Sequence, residues 1–258
     1  MNVDLAAPAT RAHLSACAAE FAGTALLVLV GISCVIAMMS PASPLSQWIP
    51  SDALRRFITG ALFGLTGTAV TLSPLGRSSG AHINPAVTLA FWLERKIAPS
   101  TAACYVLAQL AGAALGAAIL RFWGAWGAPL RYGVTLPGAG VAPWQAVAYE
   151  AGVTFALVTT IFVLLARPAT RRFTAWSMSP LFAVLVWLEA PLTGTSANPA
   201  RSLGPAWANG VWHDAWIYVA GPVLGAVLAV ALIQLELWGA ARVREARLAH
   251  FSSAADPD

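Results

Sequence analysis

Two asparagines, Asn84 and Asn198, each open the tripeptide Asn-Pro-Ala, as Asn84-Pro85-Ala86 and Asn198-Pro199-Ala200, in matching places of the two halves of the chain. Asn is a preferred helix N-cap, and Pro suits the first helical position, where no amide hydrogen is needed. Each tripeptide therefore predicts a helix start, with free backbone N–H groups and the positive end of a helix dipole gathered around it. Each Asn oxygen can be held by its neighbouring backbone while its nitrogen donates outward. Arg201 follows Asn198 by three residues, inside an apolar run. Such a set can hold a neutral polar molecule and repel cations, but it contains no nucleophile. Glu20 and Glu150 are carboxylates in apolar stretches, and His82 lies two residues before Asn84. No Gly-x-Ser-x-Gly elbow, paired His ligands or nucleophile–base arrangement accompanies His82. The expected catalytic, metal and cofactor sets are therefore empty, and an intramembrane enzyme is disfavoured.

The elements that must position these residues are membrane helices. Of 258 residues, 58% are hydrophobic and 10% charged, against about 25% charged in a soluble domain. Six apolar segments near spanning length run about 15–39, 53–73, 99–123, 143–166, 173–190 and 214–238. The run from Pro85 reaches the charged Glu94-Arg95-Lys96 after about 10 residues, or roughly 15 Å of helix. That is half of a hydrocarbon core about 30 Å thick. The expected fold is an all-α membrane protein with six transmembrane helices and two re-entrant half-helices. A single channel domain over 1–258 would comprise repeats of about 15–124 and 143–240 and a polar, frayed tail of about 241–258.

The halves echo each other. Glu20-Phe-Ala-Gly-Thr24 matches Glu150-Ala-Gly-Val-Thr154, and the Ala111–Ala117 segment matches Ala220–Ala226. Three spans per copy give the second copy the opposite topology, which puts the functional site at mid-membrane between inverted repeats. With the N-terminus inside, ten basic residues are cytoplasmic (Arg11, Arg77, Arg95, Lys96, Arg167, Arg171, Arg172, Arg242, Arg244 and Arg247). Five lie outside (Arg55, Arg56, Arg121, Arg131 and Arg201). This bias predicts cytoplasmic termini in a multi-pass cell-membrane protein. The net charge of +4 is scattered at segment ends, so no nucleic-acid partner is expected. No cleavable signal peptide is evident, since the first apolar run is too long for one. Cys17, Cys34 and Cys104 sit in apolar runs and read as packing residues, not a disulfide or metal set. His13 and His213 fall near span ends and His250 in the tail.

Two half-helices meeting at their N-termini would aim donors and positive dipole ends at the pore centre. A water donated to by both Asn84 and Asn198 would be poorly placed to relay a proton. A cation such as Arg201 costs several kcal/mol in lipid unless it faces water or a partner, so a pore-lining Arg is preferred to a buried ion pair. Glu20 and Glu150 are read as acceptors for the amides of a re-entrant loop, ahead of helix-end charges or a proton relay. Gly112, Gly116, Gly221 and Gly225 are spaced for close helix approach. Trp123, Trp126, Trp144, Trp212 and Trp216 cluster near span ends, as interfacial anchors do.

At these residues the chain resembles the aquaporin, or major intrinsic protein, family. Ser79-Gly80-Ala81-His82-Ile83-Asn84-Pro85-Ala86-Val87-Thr88 looks like its first loop and Thr193-Gly194-Thr195-Ser196-Ala197-Asn198-Pro199-Ala200-Arg201-Ser202 its second. The likeness extends to Glu20 through Thr24, Gln109 with Gly112, and Gly221-Pro222, about residues 15–240. It implies a homotetramer in the lipid bilayer, each protomer with its own pore for water and small neutral solutes. It also implies a four-residue selectivity filter. Arg201, Thr195 and Val186 carry over by position. Phe63 is the fourth by local sequence, with one extra residue near Ser73-Pro74-Leu75, whereas a gapless count gives Gly64. Water-selective members usually carry His where Val186 stands. Val there, with Ser202-Leu203-Gly204-Pro205-Ala206, resembles the plant nodulin-26-like branch and its bacterial relatives, which pass glycerol, ammonia or metalloid hydroxides as well. Glycerol facilitators usually carry Asp where Ser202 stands, so the chain falls between subfamilies. Glu189, one turn beyond Val186, is either near the outer mouth or a solvated span-end carboxylate.

Two competing readings remain. A broader facilitator would pass glycerol, urea, ammonia or metalloid hydroxides, with water secondary. An inverted-repeat secondary transporter would need coupling groups at mid-depth, where only the equivalent Glu20 and Glu150 are available.

Overall fold

The computed structural model describes residues 6–235 and 247–248, with side chains from His13 onward. The side chain of Arg11, all of Arg242, Arg244 and His250, the end of the sixth predicted span and most of the polar tail lie outside the described residues. Among the described residues every regular element is helical. In chain order the helices are α1 (Ala6–Met39), α2 (Leu45–Trp48), α3 (Asp52–Leu72), α4 (Pro74–Ser79), α5 (Pro85–Leu93) and α6 (Pro99–Ile119). Then follow two 3-10 segments and α7 (Pro143–Leu165), α8 (Pro168–Arg171), α9 (Thr174–Thr193), α10 (Pro199–Asn209) and α11 (Ile217–Gln234).

Five of the long helices are apolar enough to cross a membrane by length and composition. The sixth, α3, has 21 residues but begins with Asp52, Arg55 and Arg56. Arg55 is buried and ion-paired with Asp52, and it donates to the carbonyl of Ser46 at 2.9 Å. Arg55 is thereby neutralised within the fold, while Arg56 keeps its charge and donates to the carbonyl of Trp187 at 3.4 Å. Apolar side chains such as Leu107, Leu188 and Leu228 remain exposed, as expected of a surface solvated by lipid.

Glycines set how close the helices come. A Cβ on Gly112 or Gly116 would meet the α1 carbonyls of Phe21 and Ala25 at 2.1 and 2.5 Å. In the second half, a Cβ on Gly225 would meet the α7 carbonyl of Ala151 at 2.3 Å. The pairs α1–α6 and α7–α11 thus pack backbone to backbone in the same way, as small residues permit. A third close contact joins the halves: a Cβ on Gly60 or Gly64 of α3 would meet the α9 carbonyls of Phe182 and Met178 at 2.2 and 2.3 Å.

The half-helices exchange cores. Ala86, Val87, Ala90 and Phe91 of α5 pack with Val153, Leu157, Ile161 and Phe162 of α7 and with Ala226 and Ala229 of α11. Ala200 of α10 packs instead with Val28 and Ile32 of α1, Phe63 of α3 and Ala113 of α6. Each half supplies a short helix to the other's core, so neither core closes alone.

The cysteines are not all the packing residues that their apolar surroundings predict. Cys17 of α1 and Cys104 of α6 form a disulfide, with Cα atoms 6.2 Å apart across 87 residues. Only Cys34 is free. Both bonded cysteines sit in apolar helices, but α1 and α6 approach closely enough to pair them, which their spacing in sequence did not reveal.

Candidate functional site

The site grows from two loops of the same shape. In each, the residue four before Asn is a glycine of positive φ (Gly80, φ 92°; Gly194, φ 87°). The residues three and one before Asn share that conformation: Ala81 (53°) and Ile83 (42°), Thr195 (52°) and Ala197 (51°). Left-handed backbone at β-branched Ile83 and Thr195 costs about 1–3 kcal/mol each, so the surroundings must impose it. Two buried carboxylates do so. Glu20 accepts from Ser79 Oγ at 2.6 Å and the amide of His82 at 2.9 Å on one oxygen. Its other oxygen accepts from the amide of Ile83 at 2.6 Å and Gln109 Nε2 at 2.7 Å. Glu150 repeats the pattern, accepting from Thr193 Oγ1 at 2.6 Å and the amides of Ser196 and Ala197 at 2.8 and 2.9 Å. Tyr105 and Tyr218 donate to the carbonyls of Ser79 and Thr193 at 2.7 and 2.9 Å. The loop amides that no helix satisfies are thus held by side chains.

Asn84 and Asn198 then cap α5 and α10. The Oδ1 of Asn84 accepts from the amide of Ala86 at 2.8 Å, and that of Asn198 from Ala200 and Arg201 at 3.0 and 3.3 Å. Their nitrogens reach across the halves. Asn84 Nδ2 donates to the carbonyl of Ala197 at 2.8 Å, and Asn198 Nδ2 to that of Ile83 at 2.9 Å. Each amide therefore braces the opposite loop with one N–H and keeps the other for a guest. The sequence predicts donation into the lumen and gives no sign of this brace.

His82 is buried, stacked on Phe91 at 4.5 Å, with Nδ1 3.3 Å from Thr88 Oγ1. Gln109 Nε2 also donates to Thr88 Oγ1, at 2.9 Å. The histidine is held by aromatic and hydroxyl neighbours at the root of the first loop.

Two cavities meet near this point. One, of about 50 Å³, is lined by Asn84, Asn198, His82, Ile83, Thr71, Ile161 and Leu248, among others. The other, of about 310 Å³, is lined by Phe63, Val186, Thr195 and Arg201, with Gly133, Val134 and Phe182. Phe63 and Phe182 border both, and Gly64 borders only the smaller one. The four positions named from the sequence thus share one cavity, and the two asparagines share the next. Arg201 is buried and donates from Nη1 to the carbonyl of Gly133 at 2.7 Å. It has no ion pair among the described residues. Sequence reasoning missed Gly133, which ends the second 3-10 segment 68 residues away. Glu189, in contrast, is neither solvated nor a lining residue of the larger cavity. It is buried and shares the single Thr193 hydroxyl with Glu150. A helical i, i+4 contact explains its place.

The geometry has a match. The family model described as major intrinsic protein matches residues 9–233. The chain belongs to the major intrinsic protein family. Aquaporin-4 of Mus musculus is 36% identical over 227 residues, covering 87% of this chain and 68% of that protein. Aquaporin AqpM of Methanothermobacter marburgensis is 34% identical over 236 residues, covering 84% of this chain and 95% of that protein. The X-ray structure of the aquaglyceroporin from Plasmodium falciparum shares the fold, with a TM-score of 0.68 at 20% identity over 85% of this chain and 95% of that one. As a major intrinsic protein the chain is a helical membrane channel for passive movement of water or small solutes, and not an enzyme.

Proposed function

We propose that this channel passes water and small neutral solutes such as glycerol, and excludes protons and ions. The observation that carries the reading is the pair of cross-braced asparagines at facing helix N-termini. Each retains one amide hydrogen for a passing water, and the water's lone pairs are then turned away from its neighbours. Phe63, Val186, Thr195 and Arg201 form the filter, and Glu20, Glu150 and His82 support the loops. Residues 1–258 act as one channel domain of two repeats, with both termini cytoplasmic and four protomers assembled in the bilayer. Exposed apolar side chains on α6 and α9 supply faces for lipid or a second protomer.

Reconstituted into liposomes, the protein should speed osmotic shrinkage with a low activation energy while an imposed pH gradient persists. A glycerol gradient should relax more slowly than a water gradient. Val186→His should abolish the glycerol flux and spare the water flux, because an imidazole replaces methyl groups in the cavity that Arg201 also lines. A rapid proton leak through the wild type would sink the proton claim. An unchanged glycerol-to-water ratio in Val186→His would sink the filter assignment at that position.

A further inference from the structure

Outside the pore, His13, Cys17 and Cys104 bring one nitrogen and two sulfurs within 4.8 Å of one another. His13 and Cys17 stand four residues apart on α1, so they share one helix face. His13 Nε2 lies 3.9 Å from Cys17 Sγ. Cys104 completes the set from α6, five residues into that helix. A tetrahedral ion with metal–S of about 2.3 Å and metal–N of about 2.0–2.1 Å needs ligand atoms about 3.6–3.8 Å apart. The histidine already stands near that distance, and the cysteine Cα separation of 6.2 Å suits either a disulfide or two ligands of one ion.

We propose that His13, Cys17 and Cys104 form a redox-controlled site for a thiophilic divalent ion of the zinc class. In the oxidised form the two sulfurs are bonded to each other and cannot ligate. A small thiol reductant opens the site: two reductant thiols become one disulfide, the Cys17–Cys104 bond breaks, and each sulfur takes a proton. Binding then releases those two protons and leaves two thiolates, one imidazole and the divalent ion. That complex carries no net charge, which suits Cys17, buried, and His13 and Cys104, half-buried. Three protein ligands leave a fourth position for water or an external thiol.

The test uses the full-length protein in detergent, reduced or oxidised, then exposed to zinc and passed over a desalting column. Reduced wild type should retain one zinc per chain, and oxidised wild type none. Cobalt in place of zinc should give thiolate-to-metal charge-transfer absorption only in the reduced form. Cys34→Ser should behave as wild type, and His13→Ala should weaken binding by about tenfold or more. Equal zinc retention by the reduced and oxidised wild type, or cobalt bound without thiolate absorption, would overturn the site. Neither readout depends on a substituted protein folding.

A different contact lies at the smaller cavity. Leu248 is buried in its lining, and its amide donates to the carbonyl of Gly80 at 3.0 Å. Arg247 Nη1 donates to the carbonyl of Arg77 at 3.0 Å. One leucine from the C-terminal end of the chain thus occupies the approach to Asn84 and Asn198. We infer that Leu248 is an autoinhibitory stopper of this pore mouth, a reading that rests on the water conduction proposed above. Leu248→Asp should raise water permeability several-fold, since a carboxylate will not stay against Leu157 and Ile161. Thr71→Cys with Leu248→Cys, in a chain whose own three cysteines are Ser, should cross-link through a short bifunctional reagent. If wild type conducts and Leu248→Asp conducts no faster, or if the cysteines do not cross-link, the stopper is refuted. If neither protein conducts while the cross-link forms, the water reading fails and the contact stands.

Discussion

Arg201→Val is expected to admit cations and larger neutral solutes. Arg201 lines the larger cavity together with Phe63, Val186 and Thr195, and Arg56 is the other charged side chain in its lining. Its guanidinium is pinned by the Gly133 carbonyl at 2.7 Å. A cation passing about 4 Å away meets roughly 4 kcal/mol of repulsion at an effective dielectric constant of about 20. Losing all of it would raise cation entry about a thousandfold, at about 1.4 kcal/mol per tenfold. The positive ends of α5 and α10 remain, so the expected rise in proton and sodium leak lies between about tenfold and that bound. Urea and glycerol flux should rise too, because Val fills less of the lumen. Arg201→Lys keeps the charge without the planar donor fork. It should hold back cations while losing solute discrimination. Stopped-flow light scattering with a trapped pH-sensitive dye reads all of these. If folded Arg201→Val liposomes match wild type for protons, urea and glycerol, Arg201 is outside the filter.

The parts legible in sequence were those that repeat. Glu20 and Glu150 occur in echoing segments, and in the structure each accepts from two consecutive loop amides. Gly112, Gly116, Gly221 and Gly225 have a spacing that signals close approach; the missing Cβ atoms of three face a backbone carbonyl, and that of Gly221 faces Glu150 Cβ. The Asn-Pro pairs announce helix starts because capping is local chemistry. Contacts between the halves left no such trace. Asn84 reaches Ala197 across 113 residues, and the Gly60 and Gly64 surface meets α9 only once the repeats interlock. The strained backbone was hidden for a different reason. Gly80 and Gly194 hint at positive φ, but Ile83 and Thr195 adopt it because a carboxylate holds the loop, not because their side chains favour it. The Cys17–Cys104 pair belongs with the hidden contacts, since it depends on the register of α1 against α6.

Replacing Glu20 or Glu150 by Leu is expected to destabilise the fold severely, whereas Gln should weaken it less and leave the pore competent. Glu20 uses both oxygens, one for the amide of His82 and one for that of Ile83. Leucine would leave both amides buried and unpaired, at about 1–3 kcal/mol each. The sum of roughly 2–6 kcal/mol is a large part of the about 5–15 kcal/mol that holds a typical protein folded. Glu150 faces the same arithmetic with Ser196 and Ala197. Glutamine keeps one oxygen but turns an NH2 group toward the second amide, so one donor stays unpaired and the loss should be about half. Thermal unfolding in detergent should therefore rank wild type above Gln and Gln above Leu at both positions. The water flux per folded Gln channel should stay near wild type, because no proton needs to pass through a carboxylate that only holds a loop. A Gln variant as stable as wild type but without water flux would instead assign these carboxylates a direct part in permeation. Leu variants that fold and conduct normally would show that the left-handed turns at Ile83 and Ala197 hold without them.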